Sequence, residues 1–247
     1  KLIDLVESTH DYHSWNASAF FGVPYEKIFQ EACEANGFKQ KTLDKALRDL
    51  SKRTNHGANY NMGAAVMLDT MGPLKVAQAK VTLKLPSFMR LLDVTAHLLA
   101  QYDKTYPAVR GRWYAHIIST VERTGMLVSP FGWVRRIFGD PKNNKQDLNS
   151  IVAHGPQNLS VAVINREWYK IWRATVYGDL VGRVRIKAQI HDSLLFIYRA
   201  LPDAQKVLAM MDTKVQVTGS DGVTRTMFIP SDLSTGEKPT RRWSELK

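Results

Sequence analysis

Cysteine is nearly absent. Cys33 is the only one in 247 residues, so no disulfide can close within the chain. A small core side chain is the plainest role for it. No run of 18 apolar residues occurs, which excludes a single helix crossing a bilayer. No secretory leader pattern opens the sequence. Acidic residues are scarce beside basic ones: 23 Asp and Glu against 34 Lys and Arg leave a formal net charge of +11. The surplus is spread along the chain rather than bunched. That suits a surface laid against a polyanion, nucleic acid well before an anionic membrane. Hydrophobic residues make up 44%, which argues against a disordered basic tail. The length allows one large or two small domains with a sizeable core. The chain begins at Lys1 rather than at a methionine, as a fragment or a processed product would.

The stretch Leu43 to Gly63, LDKALRDLSKRTNHGANYNMG, organises the rest. Leu43, Ala46, Leu47 and Leu50 fall at i, i+3, i+4 and i+7, which predicts a helix that buries them. Arg48, Lys52 and His56 recur at every fourth position, nearly opposite that face. Tyr60 continues the row with some drift, because four residues overshoot one turn. A guanidinium, an ammonium, an imidazole and a phenol in one row suit a polyphosphate joined to a flat base. Cations take phosphates, and rings stack on bases. A solvated face is the alternative reading of cations at this spacing.

The order Arg48, Lys52, Asn55-His56-Gly57, Tyr60-Asn61 resembles motif B of the family A DNA polymerases, the bacterial polymerase I and phage replicative group. The family pattern there is Arg-x3-Lys, then Asn-(Phe or Tyr)-Gly, then Tyr-Gly. His56 replaces the Phe or Tyr, and Asn61 replaces the second Gly.

Upstream, Thr9 to Ser14 precede a helix at Trp15 to Phe21, which Gly22-Val23-Pro24 breaks before Tyr25 starts another. Asp11-x-His13 could be a metal pair, although Asp and Ser at such a place more often cap a helix. Asp11-Tyr12-His13-Ser14 with Phe21-Gly22-Val23-Pro24 resembles the family segment D-I-H-(T/S)…F-G-(V/L)-P. Residues 74–124 read as mostly helical. Leu91, Val94, Thr95, Leu98 and Leu99 form a core stripe there. Tyr102-x3-Tyr106-Pro107 resembles the Y-x3-Y-P of the fingers.

Gly125 to Asp140 alternates apolar residues around Pro130-Phe131-Gly132 and reads as a hairpin. It resembles a family segment that touches nucleic acid near the palm. Arg135 and Arg136 are therefore candidate phosphate contacts, with two solvated arginines beside a turn as the alternative. Residues 141–150 are polar and loop-like. A helix is expected from about Gln157 to Tyr177, with Val161, Ile164, Trp168 and Trp172 inward. By resemblance, Gln157 in its first turn would read the minor groove at the primer end, where every base pair offers an acceptor.

Residues 183–198 alternate strictly, and His191-Asp192 falls at the tight turn of a hairpin. Such a pair is usually turn chemistry. Gln189-Ile190-His191-Asp192-Ser193, however, resembles motif C, Q-V-H-D-E, with Ser193 in place of Glu. The tail has a turn at Thr218 to Gly222, and Trp243-Ser244-Glu245-Leu246 is similar to the family's closing segment.

The resemblance implies an α+β fold: a mostly helical fingers subdomain over residues 1–124, with the helix 43–60, packed on an antiparallel palm. Residues 125–247 would be the C-terminal part of that palm, with its metal-binding hairpin 183–198. It implies template-directed nucleotidyl transfer from dNTPs to a primer 3′-OH with two Mg²⁺ ions. Asp192 would be one metal carboxylate. Arg48 would grip the outer phosphates, and Lys52 would hold the triphosphate and protonate leaving pyrophosphate. His56 would pack on the incoming sugar and base, and Tyr60 would stack near the templating base. His191 counts among both the catalytic and the DNA-binding residues. The second carboxylate belongs to motif A, which this sequence lacks. A missing segment or partner chain would carry it with the thumb and any exonuclease region, and the chain alone would be inactive. Primer–template DNA and dNTP are the other expected partners, in bacterial or phage-infected cytoplasm. Two alternatives stand: a single-subunit phage-type RNA polymerase, which often has His-Asp-Ser at motif C, and a non-catalytic DNA-binding remnant. Asn55-His56-Gly57 and Asp11-Tyr12-His13-Ser14 favour the DNA enzyme.

Overall fold

The computed structural model describes residues 10–32, 40–218, 222–229 and 231–234. Cys33 and the closing segment around Trp243 lie outside them, as does most of the turn after Thr218. The fold is α+β, with a helical part followed by helices and antiparallel hairpins. Two compact units divide it: residues 1–127 with 136–153, and residues 128–135 with 154–247. Among the described residues, no helix is long and apolar enough to cross a membrane.

The first unit opens with α1 (Tyr12–Phe21), capped by Asp11, whose Oδ1 accepts the Ser14 N–H at 2.8 Å. Of the two readings of Asp11 and His13, metal pair and cap, Asp11 follows the second. Gly22 ends α1 at φ 67°, a left-handed conformation that suits glycine. Next come α2 (Tyr25–Ile28) and a short antiparallel ladder of β1 (Phe29–Gln30) with β2 (Lys41–Thr42). Then α3 (Lys45–Asn59) starts at Asp44, whose Oδ1 accepts the Leu47 N–H at 3.0 Å.

The buried face of α3 differs from the one periodicity predicts. Leu43 precedes the helix and is 47% exposed. Ala46 is exposed as well. Leu47 and Leu50 are buried as expected, and Ser51, Thr54, Asn55 and Ala58 join them in place of Leu43 and Ala46. Three of these are polar, and hydrogen bonds make their burial affordable. Thr54 Oγ1 donates to the Leu50 carbonyl at 2.9 Å, and Ser51 Oγ to that of Arg48 at 2.9 Å. Asn55 Nδ2 reaches the Tyr12 hydroxyl at 3.3 Å.

Beyond α3 lie α4 (Ala64–Met71), α5 (Pro73–Thr82) and α6 (Leu91–Thr105). Phe20, Leu50, Met67, Val76, Val94, Leu98 and Tyr102 meet in the main core. The expected stripe on α6 is part of it: Val94, Thr95, Leu98 and Leu99 are buried. A π-helical turn at Val109–Tyr114 leads into α7 (Ala115–Thr124). The hairpin follows as expected, β3 (Met126–Val128) and β4 (Val134–Arg136) around Gly132 at φ 79°.

The next helix begins earlier than its sequence suggests. Residues 141–150 are not wholly loop, because α8 spans Lys145–Tyr177. Asn144 starts it, its Oδ1 accepting the N–H groups of Gln146 at 2.8 Å and Asp147 at 3.3 Å. Pro156 therefore stands inside the helix, where it supplies no N–H and crowds the carbonyl four residues back. Gln157 is an exposed mid-helix residue, not a first-turn one. Ile164 is buried as expected, but Val161 is 52% exposed.

In the second unit, β5 (Val184–Ile190) and β6 (Ser193–Tyr198) form the antiparallel hairpin that the alternation predicts. The register runs from Val184 opposite Tyr198 to Ile190 opposite Ser193, with an irregularity between Ile186 and Ala188 that leaves Lys187 unmatched. The inward side packs with Ile171, Leu180 and Val207, the last from α9 (Leu201–Met211). A second hairpin, β7 (Thr213–Thr218) with β8 (Thr224–Ile229), completes the described unit.

Candidate active site

On α3 the four-residue row exists as a surface. Lys52 and His56 are exposed, and Arg48 and Tyr60 are partly so. His56 meets Tyr60 edge to face, with ring centroids 5.0 Å apart and planes at 73°. The two rings brace each other at the end of the helix, beyond the cations. Gly57 lies behind them, where a Cβ would stand 3.0 Å from Met62 Sδ. Asn61 adopts φ 57°. Gly is the usual residue in that region, and Asn is among the few others that tolerate it. The replacement of Gly by Asn61 thus preserves the backbone that a Gly would give.

Three elements hold the turn that carries Tyr60. Tyr102 of α6 donates its hydroxyl to Asn59 Oδ1. Tyr114, at the end of the π-helical turn, donates to the carbonyls of Ala58 and Asn59, each at 3.2 Å. From α8, Asn149 Oδ1 accepts Asn61 Nδ2 at 2.9 Å. Burial raises the Tyr102 and Tyr114 hydroxyls above the ordinary phenol value, so both stay protonated as donors. These tyrosines carried no assigned role in the sequence, where nothing links them to residues some 40 to 56 positions away.

Beside the row the structure adds two residues for which the sequence suggested no contact with it. Asp11 takes Arg48 in a two-pronged ion pair: Nε donates to Oδ1 and Nη2 to Oδ2, both at 2.9 Å. The Asp11 carboxyl lies below the ordinary carboxylate value; burial opposes that shift, and the hydrogen bonds from Arg48 and Ser14 outweigh it. Asp11 and Arg48 line one cavity with Lys41 and Thr42. The second residue is His13. Its Nδ1 is buried with no hydrogen-bond partner among the described residues. Burial, then the charge of Arg48 and further that of Lys52, lower its pKa. The imidazole is thus held toward its neutral form beside two cations, with its buried Nδ1 unpaired among the described residues.

The His191-Asp192 pair, whose surroundings resemble motif C, sits in the second unit. His191 and Asp192 are the two residues between Ile190 and Ser193, and both are exposed. His191 is at φ 52°, in the left-handed region, where His is enriched along with Asn and Asp among the non-glycine residues. The Asp192 carboxylate accepts only the Ser193 hydroxyl, at 3.4 Å, among its described neighbours. An oxygen donor of this kind, open and on a stiff hairpin, fits Mg²⁺ as one ligand. It does not make a site alone: among the described residues no group of three or more His, Cys, Asp or Glu could hold a metal.

Arg135 is partly buried and Arg136 exposed on β4. Burial, and then the charge of Arg135, lower the pKa of His154. Gln157 is exposed on α8. Farther along that helix Trp168 and Trp172 are parallel within 5°, with centroids 6.4 Å apart. They border a groove that Arg185 and Lys187 of β5 also line. The aromatic pair is half-buried rather than inward, a consequence of its position over the hairpin.

No protein-family model matches the chain, and no curated protein matches it. Among solved structures, the polymerase domain of Pol1 from M. smegmatis, in complex with DNA primer-template and dNTP, has a similar fold. The TM-score is 0.62 at 19% identity, over 85% of this chain and 32% of that one. The match therefore spans about a third of that polymerase chain.

Proposed function

We propose that this chain is the fingers and C-terminal palm portion of a family A DNA polymerase, and that it binds dNTP and primer–template DNA for nucleotidyl transfer. One observation carries the reading: in a fold similar to a polymerase domain, α3 and its C-cap Tyr60 carry Arg48, Lys52, His56 and Tyr60 at four-residue spacing, all at least partly exposed. The left-handed backbone of Asn61 adds support, because it answers one of the two departures from motif B.

On this reading Arg48 grips the outer phosphates, and Lys52 Nζ contacts the triphosphate and gives a proton to the leaving pyrophosphate. His56 packs on the incoming sugar and base, and Tyr60 stacks near the templating base. Gln157 donates to minor-groove acceptors, Arg135 and Arg136 contact phosphates, and His191 meets the primer end. Asp192 holds Mg²⁺ from this chain. The chemistry a bound pair of ions supplies is activation of the primer hydroxyl and neutralisation of triphosphate charge. The other metal carboxylate comes from a further polymerase portion or a partner chain.

The test is nucleotide choice. The complete protein that carries these residues should extend a DNA primer with dNTPs and reject rNTPs. Preference for rNTPs would favour the phage-type RNA polymerase, and binding without any extension would favour the non-catalytic remnant.

A further inference from the structure

We propose that Asp11 is a positioning residue for Arg48, holding one edge of the guanidinium so that the other meets the terminal phosphate of a nucleoside triphosphate. This rests on the nucleotide reading of α3 given above.

The argument begins with how the donors are spent. Arg48 uses Nε and Nη2 on Asp11, both at 2.9 Å, and Nη1 has no partner among the described residues. A planar fork held along one edge presents the opposite edge in a fixed direction. The pair is sheltered, with side chains 25% and 18% exposed. Asp11 is itself held from several sides. Its Oδ1 accepts the Ser14 N–H at 2.8 Å, its N–H donates to the Tyr25 hydroxyl at 2.9 Å, and its carbonyl accepts the Trp15 N–H at 2.9 Å. The carboxylate cannot swing without uncapping α1. It therefore transmits the position of α1 to a side chain 37 residues away.

Lys52, one turn further along, is exposed and has no ion-pair partner among the described residues. The row therefore combines a braced cation with an unbraced one. Both attract any polyphosphate through charge. Only the braced one has the fixed direction needed to distinguish a terminal phosphate that is present from one that is absent. Counting phosphates requires orientation, whereas general attraction does not.

Asp11→Asn isolates this role. Asn caps a helix about as well as Asp and still offers an acceptor to Nε, but its amide sets a donor against Nη2. The experiment measures equilibrium binding of dATP and dADP to the protein with primer–template present, and reads the ratio of the two affinities. The ratio cancels the general rise in attraction that follows loss of a carboxylate. The expected result is that Asp11→Asn lowers the triphosphate preference by on the order of tenfold, as loss of orientation does, with the thermal midpoint close to wild type. Arg48→Lys, which keeps the charge and loses the fork, should do the same. Asp11→Asn should then add nothing in the Arg48→Lys background. A wild-type ratio in Asp11→Asn beside a lowered ratio in Arg48→Lys overturns the positioning role alone. A wild-type ratio in both overturns it together with the nucleotide reading of Arg48.

Discussion

Asn61 offers a prediction whose size follows from its backbone and its single side-chain bond. Its φ of 57° is a conformation that a residue with an ordinary Cβ adopts at a cost of about 1–2 kcal/mol. Its amide donates to Asn149 at 2.9 Å, a bond worth about 1 kcal/mol net. Asn61→Ala forfeits the bond and takes on the backbone cost, so it should destabilise by about 2 kcal/mol. Asn61→Gly forfeits the same bond but relaxes the backbone, offset by about 0.5–1 kcal/mol of extra freedom in the unfolded chain. It should cost about 1 kcal/mol. The larger side chain is thus expected to be the less stable, the reverse of the order inside a helix. Urea unfolding of the two variants and wild type measures this through the midpoints, with unchanged slopes. If Ala proves as stable as Gly, the turn does not require a left-handed residue, and the account of why Asn61 stands there is wrong. Tyr60 is the preceding residue, so nucleotide affinity should fall further in Ala than in Gly.

Other expectations concern the row and its surroundings. Lys52→Ala should weaken both nucleotide binding and turnover, by roughly 2–5 kcal/mol if the charge pair is desolvated; Arg48→Ala should mainly raise the apparent KM. Steady-state kinetics separates these, and equal small effects would instead mark a solvated face. His56→Phe should make the enzyme discriminate more strongly against dideoxynucleotides, read in a dNTP against ddNTP competition; an unchanged ratio would remove His56 from the nucleotide site. His13 predicts a pH dependence, since its folded pKa lies below the ordinary 6.5. The folded state then takes up this proton less readily than the unfolded chain, so the contribution is complete above 6.5 and is lost as pH falls through the folded value. Unfolding free energy measured from about pH 7 to about pH 5 should fall less steeply in His13→Gln than in wild type, and parallel slopes would refute the burial argument.

The exposed side of α3 was legible because charged side chains recur at the helical repeat. Its buried side was legible only at Leu47 and Leu50. Leu43 and Ala46 complete an apolar pattern yet remain outside, while Ser51, Thr54 and Asn55 are buried through hydrogen bonds that hydrophobicity does not record. The β5–β6 hairpin was readable down to its turn because strict alternation fixes the face of each residue. The start of α8 was hidden by composition: Asn144 caps a helix, but in a run of Asn and Lys it reads as loop, and Pro156 looks like a beginning. The pairing of Asp11 with Arg48 and the tyrosines beneath Asn59 depend on contacts across tens of residues, which no local pattern encodes.

Asp192 provides the most direct test of the central claim, that this chain contributes a metal carboxylate to a polymerase site. In the complete protein, Asp192→Ala should abolish primer extension while primer–template affinity stays within a few-fold of wild type, because phosphate contacts carry most of that affinity. Extension at the wild-type rate by Asp192→Ala would contradict the account, leaving His191-Asp192 as a hairpin turn and nothing more.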